Sequence, residues 1–277
     1  MLITNIDDTQ FILRVVIFFM SAGVLLSSLE WLALLSEFGR TGIYHWPITR
    51  LLHAPTIVRA GGNVLNVICS QQSVAIALVA RIGTAAWCLM WCVFQRESVP
   101  LLGLCGLSAT GLYINSRTYY GLEGSDQLLT LLCVSLTLGA LAQNEGGIDL
   151  ALYFIAAQST LSYFAAGVTK LWGKEWRKGN AVSLIVSTRA FGHPYFSRLL
   201  DNRPVLGRIA TFTVLAFECS LPLALILPLP FTLAYLLVGF LFHLANSVVL
   251  GLNVFLWAYL ATYPAILFTA LRISGHH

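Results

Sequence analysis

The stretch SYFAAGVTKLWGKEWRKG, residues 162–179, sets one lysine inside an otherwise apolar helical run and then breaks abruptly into charge. Lys170 is that lysine, and Lys174, Glu175, Trp176, Arg177 and Lys178 follow it. Such a change of composition marks the place where a helix leaves a bilayer, and it puts Lys170 about one turn inside the boundary. On helical spacing Tyr163, Gly167 and Lys170 fall at i, i+4 and i+7, so one face presents a phenol, a gap for close approach and an amine. A lysine this near a helix end can instead extend its stem to the headgroups, and that snorkelling anchor is the alternative to a chemical role.

The rest of the chain fits a membrane reading. Its 277 residues are 57% hydrophobic and only 10% charged, with a mean hydropathy of +0.78, whereas about 25% charge is usual in soluble domains. The expected fold is all-α, a polytopic bundle of about seven or eight spanning helices with an interfacial or re-entrant segment, forming a single transmembrane domain over residues 1–277. The net charge of +4 lies mostly in connecting segments. It speaks of bilayer orientation and headgroup contact, and no nucleic-acid signature accompanies it.

Taken in order, the first apolar run covers residues 11–35, with Arg14 near its start and Glu30 near its end. The Asp7–Asp8 pair precedes it where a signal peptide would be basic, so it reads as a spanning helix. Residues 37–73 carry Arg40, Arg50, Arg59, His45, His53 and the pair Gly61-Gly62, and read as short interfacial helices. Helices at 74–94 and 99–114 are joined by residues 95–98 alone, which makes them antiparallel neighbours. A fourth helix starts at Asp126, with Ser125, Asp126 and Gln127 placed as N-terminal caps. The fifth, residues 149–172, follows a turn at Asn144 and delivers Lys170. A basic connection over 173–207 leads to a sixth helix at 208–227 with Glu218 near its middle, and residues 231–271 divide at Gly251 and Asn253.

Threading these helices alternately through a bilayer brings Glu30, Arg81, Asp126, Lys170, His243 and Asn246 to one level. Charges in a bilayer cost several kcal/mol unless they face the bundle interior and find partners, so this convergence points to one polar pocket. A purely structural network, Asp126 with Lys170 or Glu30 with Arg81, accounts for it as well. Cys88 and Cys92 at i, i+4 suit packing better than redox exchange, and no second histidine stands at ligand spacing from His243, so no metal is expected. The run from Gly167 to Glu175 has Lys-Glu where a phosphate loop needs Lys-Ser or Lys-Thr, which excludes nucleotide hydrolysis.

Three motifs carry a resemblance: YFAAGVTKLWGKEW from Tyr163, FHLANSVVLGLNVFLWAYLATYP from Phe242 and SDQLLTLL from Ser125. With Arg14 opening the first helix, the chain resembles the HTTM family, the membrane domain shared by vitamin K-dependent gamma-carboxylase and many bacterial proteins. The resemblance implies that Lys170 matches the base that deprotonates vitamin K hydroquinone in the carboxylase. A reduced, vitamin K-like quinone is the implied cofactor. Tyr163, Gly167, Asp126, His243 and Asn246 then surround the substrate, with a peptide or small molecule as co-substrate. Thr169 stands where the carboxylase has a basic residue, and nothing replaces its large lumenal portion. The expectation therefore narrows from glutamate carboxylation to quinol binding or oxygenation. Its rival is a non-catalytic partner in maturation or export of a peptide, and a transporter is a third reading. Either way the chain is expected in the lipid bilayer, as a multi-pass protein of a bacterial plasma membrane. Its orientation stays open, because the basic loops place the Lys170 end in the cytoplasm and the resemblance places it outside.

Overall fold

A computed structural model describes residues 8–53, 55–94, 99–118, 122–142 and 145–274, with the backbone alone at 55–60 and 145. Asp7, the 95–98 turn and Asn144 lie outside the described residues. The described residues form helices joined by turns, with no strand among them: α1 Thr9–Ala33, α2 Trp46–Thr49, α3 Pro55–Ile68, α4 Gln71–Phe94, α5 Leu101–Arg117, α6 Gly124–Leu141, α7 Glu145–Trp172, α8 Lys174–Lys178, α9 Ala181–Val186, α10 Pro194–Asn202, α11 Pro204–Ser220, α12 Leu229–Leu250 and α13 Asn253–Ser274. Seven of them are long and apolar enough to cross a membrane: α1, α4, α6, α7, α11 with the 3-10 turn after it, α12 and α13. At 17 residues α5 falls short of the about 20 that a full crossing needs. The expected polytopic bundle is what the chain forms.

Contacts cluster into two units, residues 17–147 and residues 1–16 with 148–277. In the first, α5 packs against α4 and α6 through small and hydroxylated residues. A methyl group on Gly103 would meet the Trp87 ring and Cys88 Sγ, and one on Gly111 would meet Thr130. Ser108 and Thr137 share a hydrogen bond of 2.9 Å, and Asn115 Nδ2 donates to Thr130 Oγ1 at 3.1 Å. Such close backbones with short polar side chains are how helices associate where lipid removes the hydrophobic driving force. Residues 35–52 fold into short helical turns, as expected, and lay Phe38 and Tyr44 on Trp31 of α1.

One sequence expectation fails here. The N-cap of α6 is Glu123, with no side-chain cap bond. Asp126 is buried within the first turn and accepts from Ser27 Oγ at 2.5 Å and Trp31 Nε1 at 3.3 Å, both on α1. Because α6 begins two residues earlier than the sequence suggests, Asp126 turns toward α1 rather than back over its own N-terminus.

In the second unit, Thr9 Oγ1 donates to Asp149 Oδ1 at 2.8 Å, tying the start of α1 to α7. The hairpin of α12 and α13 turns at Gly251, whose φ of +74° is the left-handed conformation that a side chain disfavours. This is the break that the sequence predicts. The chain after Lys170 stays against its own unit and follows α11 toward its N-terminus. Gly167 meets Glu218 and Cys219, Gly179 meets Phe212 and Arg208, and Gly207 meets Ser183. Arg208 and Glu218 are about 15 Å apart along a helix. Along α11, Lys170 therefore stands apart from the segment 179–183, near the Trp172 end of the candidate span that α7 forms.

Two glycines on neighbouring helices test this packing. Gly83 is exposed with open space where a Cβ would be, so Gly83→Ala should raise stability by about 0.5–1 kcal/mol through helix propensity. Gly103→Ala should lower it by about 1–3 kcal/mol through overpacking against Trp87 and Cys88. Thermal unfolding of the two variants in detergent should move the transition in opposite directions.

Candidate functional site

Lys170 arrives near the end of α7 opposite the last turn of α11. Its Nζ lies 2.5 Å from both Oε1 and Oε2 of Glu218, a two-pronged ion pair in which the carboxylate is 4% exposed and the lysine side chain 26%. The same ammonium sits 5.3 Å from the centre of the Trp176 ring, which α8 folds back over it. Gly167 makes the pair possible. One turn before Lys170, it allows α11 to approach until a built Cβ would be 2.8–3.0 Å from Cys219 and the Glu218 side chain.

Lys170 also forms the polar end of an otherwise apolar cavity of about 350 Å³. Val182, Ile185 and Val186 of α9, Phe196 and Leu200 of α10, Ala210 and Val214 of α11, and Phe242 and Val249 of α12 make its walls. Asn246 supplies its second polar lining side chain. A largely apolar chamber with few, convergent polar groups is the usual form of a small-molecule site. The volume falls within the range of about 300–1,000 Å³ typical of such sites.

Behind the cavity wall, Tyr163 and His243 share a hydrogen bond of 2.5 Å between Oη and Nε2. Tyr263 Oη is 3.2 Å from Tyr163 Oη, and the Tyr259 ring stacks on the imidazole at 4.2 Å. Both Tyr163 and His243 are buried, and His243 Nδ1 has no hydrogen-bond partner among the described residues. Phe242 connects the two regions, because its ring lines the cavity and also packs against Phe217 and His243.

The residues chosen from sequence thus divide. Lys170 and Asn246 line the cavity; Tyr163 and His243 form a pair next to it; Gly167 faces α11 beside the ion pair. Asp126 belongs to the other unit, where Ser27 and Trp31 are its partners. The structural pairing of Glu30 with Arg81 is not formed: Glu30 is exposed, and Arg81 is buried with Nε and Nη1 lacking acceptors among the described residues. Sequence reasoning leaves out Glu218 as the partner of Lys170, and with it Trp176, Tyr259 and Tyr263. The available signal was charge, since an acid in the middle of an apolar helix needs a cation and Lys170 is the cation of the neighbouring apolar helix.

Residues 147–270 match the family model described as the HTTM domain, and the match contains the ion pair, the cavity and the tyrosine–histidine cluster. No curated protein and no solved structure matches the chain. Together with the seven apolar helices, the match makes this a multi-pass integral membrane protein. What this stretch is similar to is the HTTM domain, over 124 of the chain's 277 residues.

Proposed function

We propose that the chain is a carboxylase-like oxidoreductase of a bacterial plasma membrane, acting on a lipid-soluble quinol with Lys170 as the base. The observation that carries this reading is the Lys170–Glu218 pair standing at the polar end of an apolar cavity. The residues present fit such a group. Apolar walls from α9, α10, α11 and α12 suit an aromatic ring and its hydrocarbon chain, while Lys170 and Asn246 suit the ring oxygens. A quinol supplies, on oxygenation, a strong base and an epoxide.

The protein's own part is to hold and move a proton. Lys170 can accept one only as the neutral amine, so the proton it shares with Glu218 must first pass to the carboxylate. A bidentate contact offers a direct path for that transfer. Asn246 orients a ring oxygen, and the apolar enclosure keeps water from the site. Tyr163 and His243 hold the wall behind Phe242, and Gly167 keeps α11 close enough for Glu218 to serve Lys170. In this reading Lys170→Arg keeps the ion pair and loses the function, because guanidinium stays protonated. Incubating the purified variant with a reduced menaquinone-type substrate and oxygen, and measuring quinone and epoxide products, should give the level seen without protein. Wild-type turnover in Lys170→Arg would remove the base assignment.

A second reading, a non-catalytic membrane partner that helps mature or export a peptide, draws on the same pair. A lysine already satisfied by both carboxylate oxygens is what structural glue between α7 and α11 looks like. The two readings share one stability prediction and part on activity. Lys170→Met should strand a buried carboxylate and cost about 3 kcal/mol, and Lys170→Met with Glu218→Met should recover most of it. If the wild type and the recovered double variant carry the same quinone content and turnover, the pair is only glue. Turnover present in the wild type and absent from a stable double variant supports the enzyme.

A further inference from the structure

Arg117 closes α5 with 2% of its surface exposed, and no carboxylate pairs with it among the described residues. Residues 35–53 fold over it instead. Its Nη1 donates to Thr49 Oγ1 at 3.1 Å and its Nη2 to the Tyr44 carbonyl at 3.0 Å, which occupies two of five N–H donors. Phe38 and Trp46 hold the guanidinium between their rings, with centroids 5.5 and 5.4 Å away. Nε has no acceptor. Two neutral hydrogen bonds and two ring faces offset the cost of burying the cation, but none of them carries a negative charge to neutralise it.

The side chain lines a cavity of about 210 Å³, shared with His53, Tyr113 and Ser116. A second chamber of about 380 Å³ adjoins it across Trp46 and Cys69, and its wall includes Arg40, Arg50 and His45. The only acid in residues 35–70 is Glu37, which accepts from the Ile43 amide and lines neither chamber. Positive charge therefore surrounds two adjoining hollows, and the counter-charge is missing from the described residues.

We propose that the chamber at Arg117 is a binding site for a phosphate-class oxyanion, supplied either by a phospholipid headgroup or by free phosphate. Guanidinium is the side chain best suited to such a ligand, because it presents several N–H donors in one plane and keeps its charge under burial. Arg40, Arg50 and His45 in the outer chamber draw the anion toward Arg117. Residues 35–53, which cover Arg117 with Thr49, Tyr44, Phe38 and Trp46, are then held by the ligand as well as by the rings. The proposal stands on residues of the first unit and does not depend on the quinol reading.

The test uses the purified full chain. Delipidated protein in detergent is titrated with inorganic phosphate while its unfolding temperature is followed, and phosphatidylglycerol retention is measured separately by native mass spectrometry against phosphatidylcholine. The expected result is saturable one-to-one binding of one of these probes. A saturable phosphate response without retained lipid assigns the free anion; retained phosphatidylglycerol that phosphate does not displace assigns the headgroup. Arg117→Gln should weaken binding at least tenfold. Because that variant also loses its ring contacts and with them part of its stability, Ser116→Glu provides a second arm. Ser116 is exposed on the cavity wall, so a carboxylate there takes the place of the anion. That variant should remain folded, unfold at a higher temperature without ligand, and lose the response. Wild-type protein that binds neither probe, or a folded Ser116→Glu that binds as the wild type does, would overturn the proposal.

Discussion

A carboxylate buried in an apolar helical bundle has to be paired, and in this chain the pairing of Glu218 with Lys170 decides how the C-terminal unit is assembled. The contact requires α7 and α11 to run close together at one level, and Gly167 is the residue that permits it. Once Glu218 faces Lys170, the chain beyond Lys170 has to follow α11 rather than leave it. Val182 N then donates to Thr211 Oγ1 at 3.2 Å and Gly207 closes on Ser183. The cavity is the consequence: α9 and α10 come to face the middle of α11 and the second half of α12, leaving an apolar hollow that ends at the ion pair. Removing the pair would therefore alter a helix contact, a chain path and a binding chamber together.

Membrane helices with few apolar driving forces between them lean on small residues and hydrogen bonds, and this chain uses both devices. In its first unit the contacts run through Gly103, Gly111, Ser108 and Thr137. In its second they run through Gly239 against Tyr263, Ser159 against Thr262 and the Tyr163–His243 bond. Two cations inside the bundle are handled in different ways, Lys170 half-buried and Arg117 buried. Lys170 has a carboxylate, whereas Arg117 has rings, a hydroxyl and a carbonyl. That contrast separates a charge neutralised by a described carboxylate from one that has none among the described residues.

Much of the architecture was legible in the residues. Long apolar runs with polar punctuation gave the helices, and Gly251 gave the last turn, because few residues other than glycine accept a positive φ. The motif around Lys170 pointed to the half of the chain that the family model matches. What the sequence hid was the path of the chain after Lys170. The charged run 173–178 gives no sign that Trp176 folds back over Lys170 or that Gly179 packs against Phe212. The bounds of α11 were also displaced: Pro204 at its first turn starts it four residues earlier than residue 208, and a 3-10 turn over Leu221–Leu225 follows its end at Ser220, two residues after Glu218. With α11 set too late, Lys170 and Glu218 seemed to stand at different levels, and Asp126 looked like the available partner. Asp126 has Ser27 and Trp31, a preference that depends on which face of α6 meets α1 and is invisible without the packing.

The central claim is that the hollow beside Lys170 and Glu218 houses a lipid-soluble quinol. Organic extraction of the protein purified from its own membranes, with quinone counted per chain, tests it most directly when paired with Ala210→Trp, which fills the cavity from α11 without touching the ion pair. The account predicts close to one quinone per wild-type chain and at least a tenfold loss in the filled variant at unchanged thermal stability. Equal quinone content in the two proteins, or none in the wild type, would contradict it.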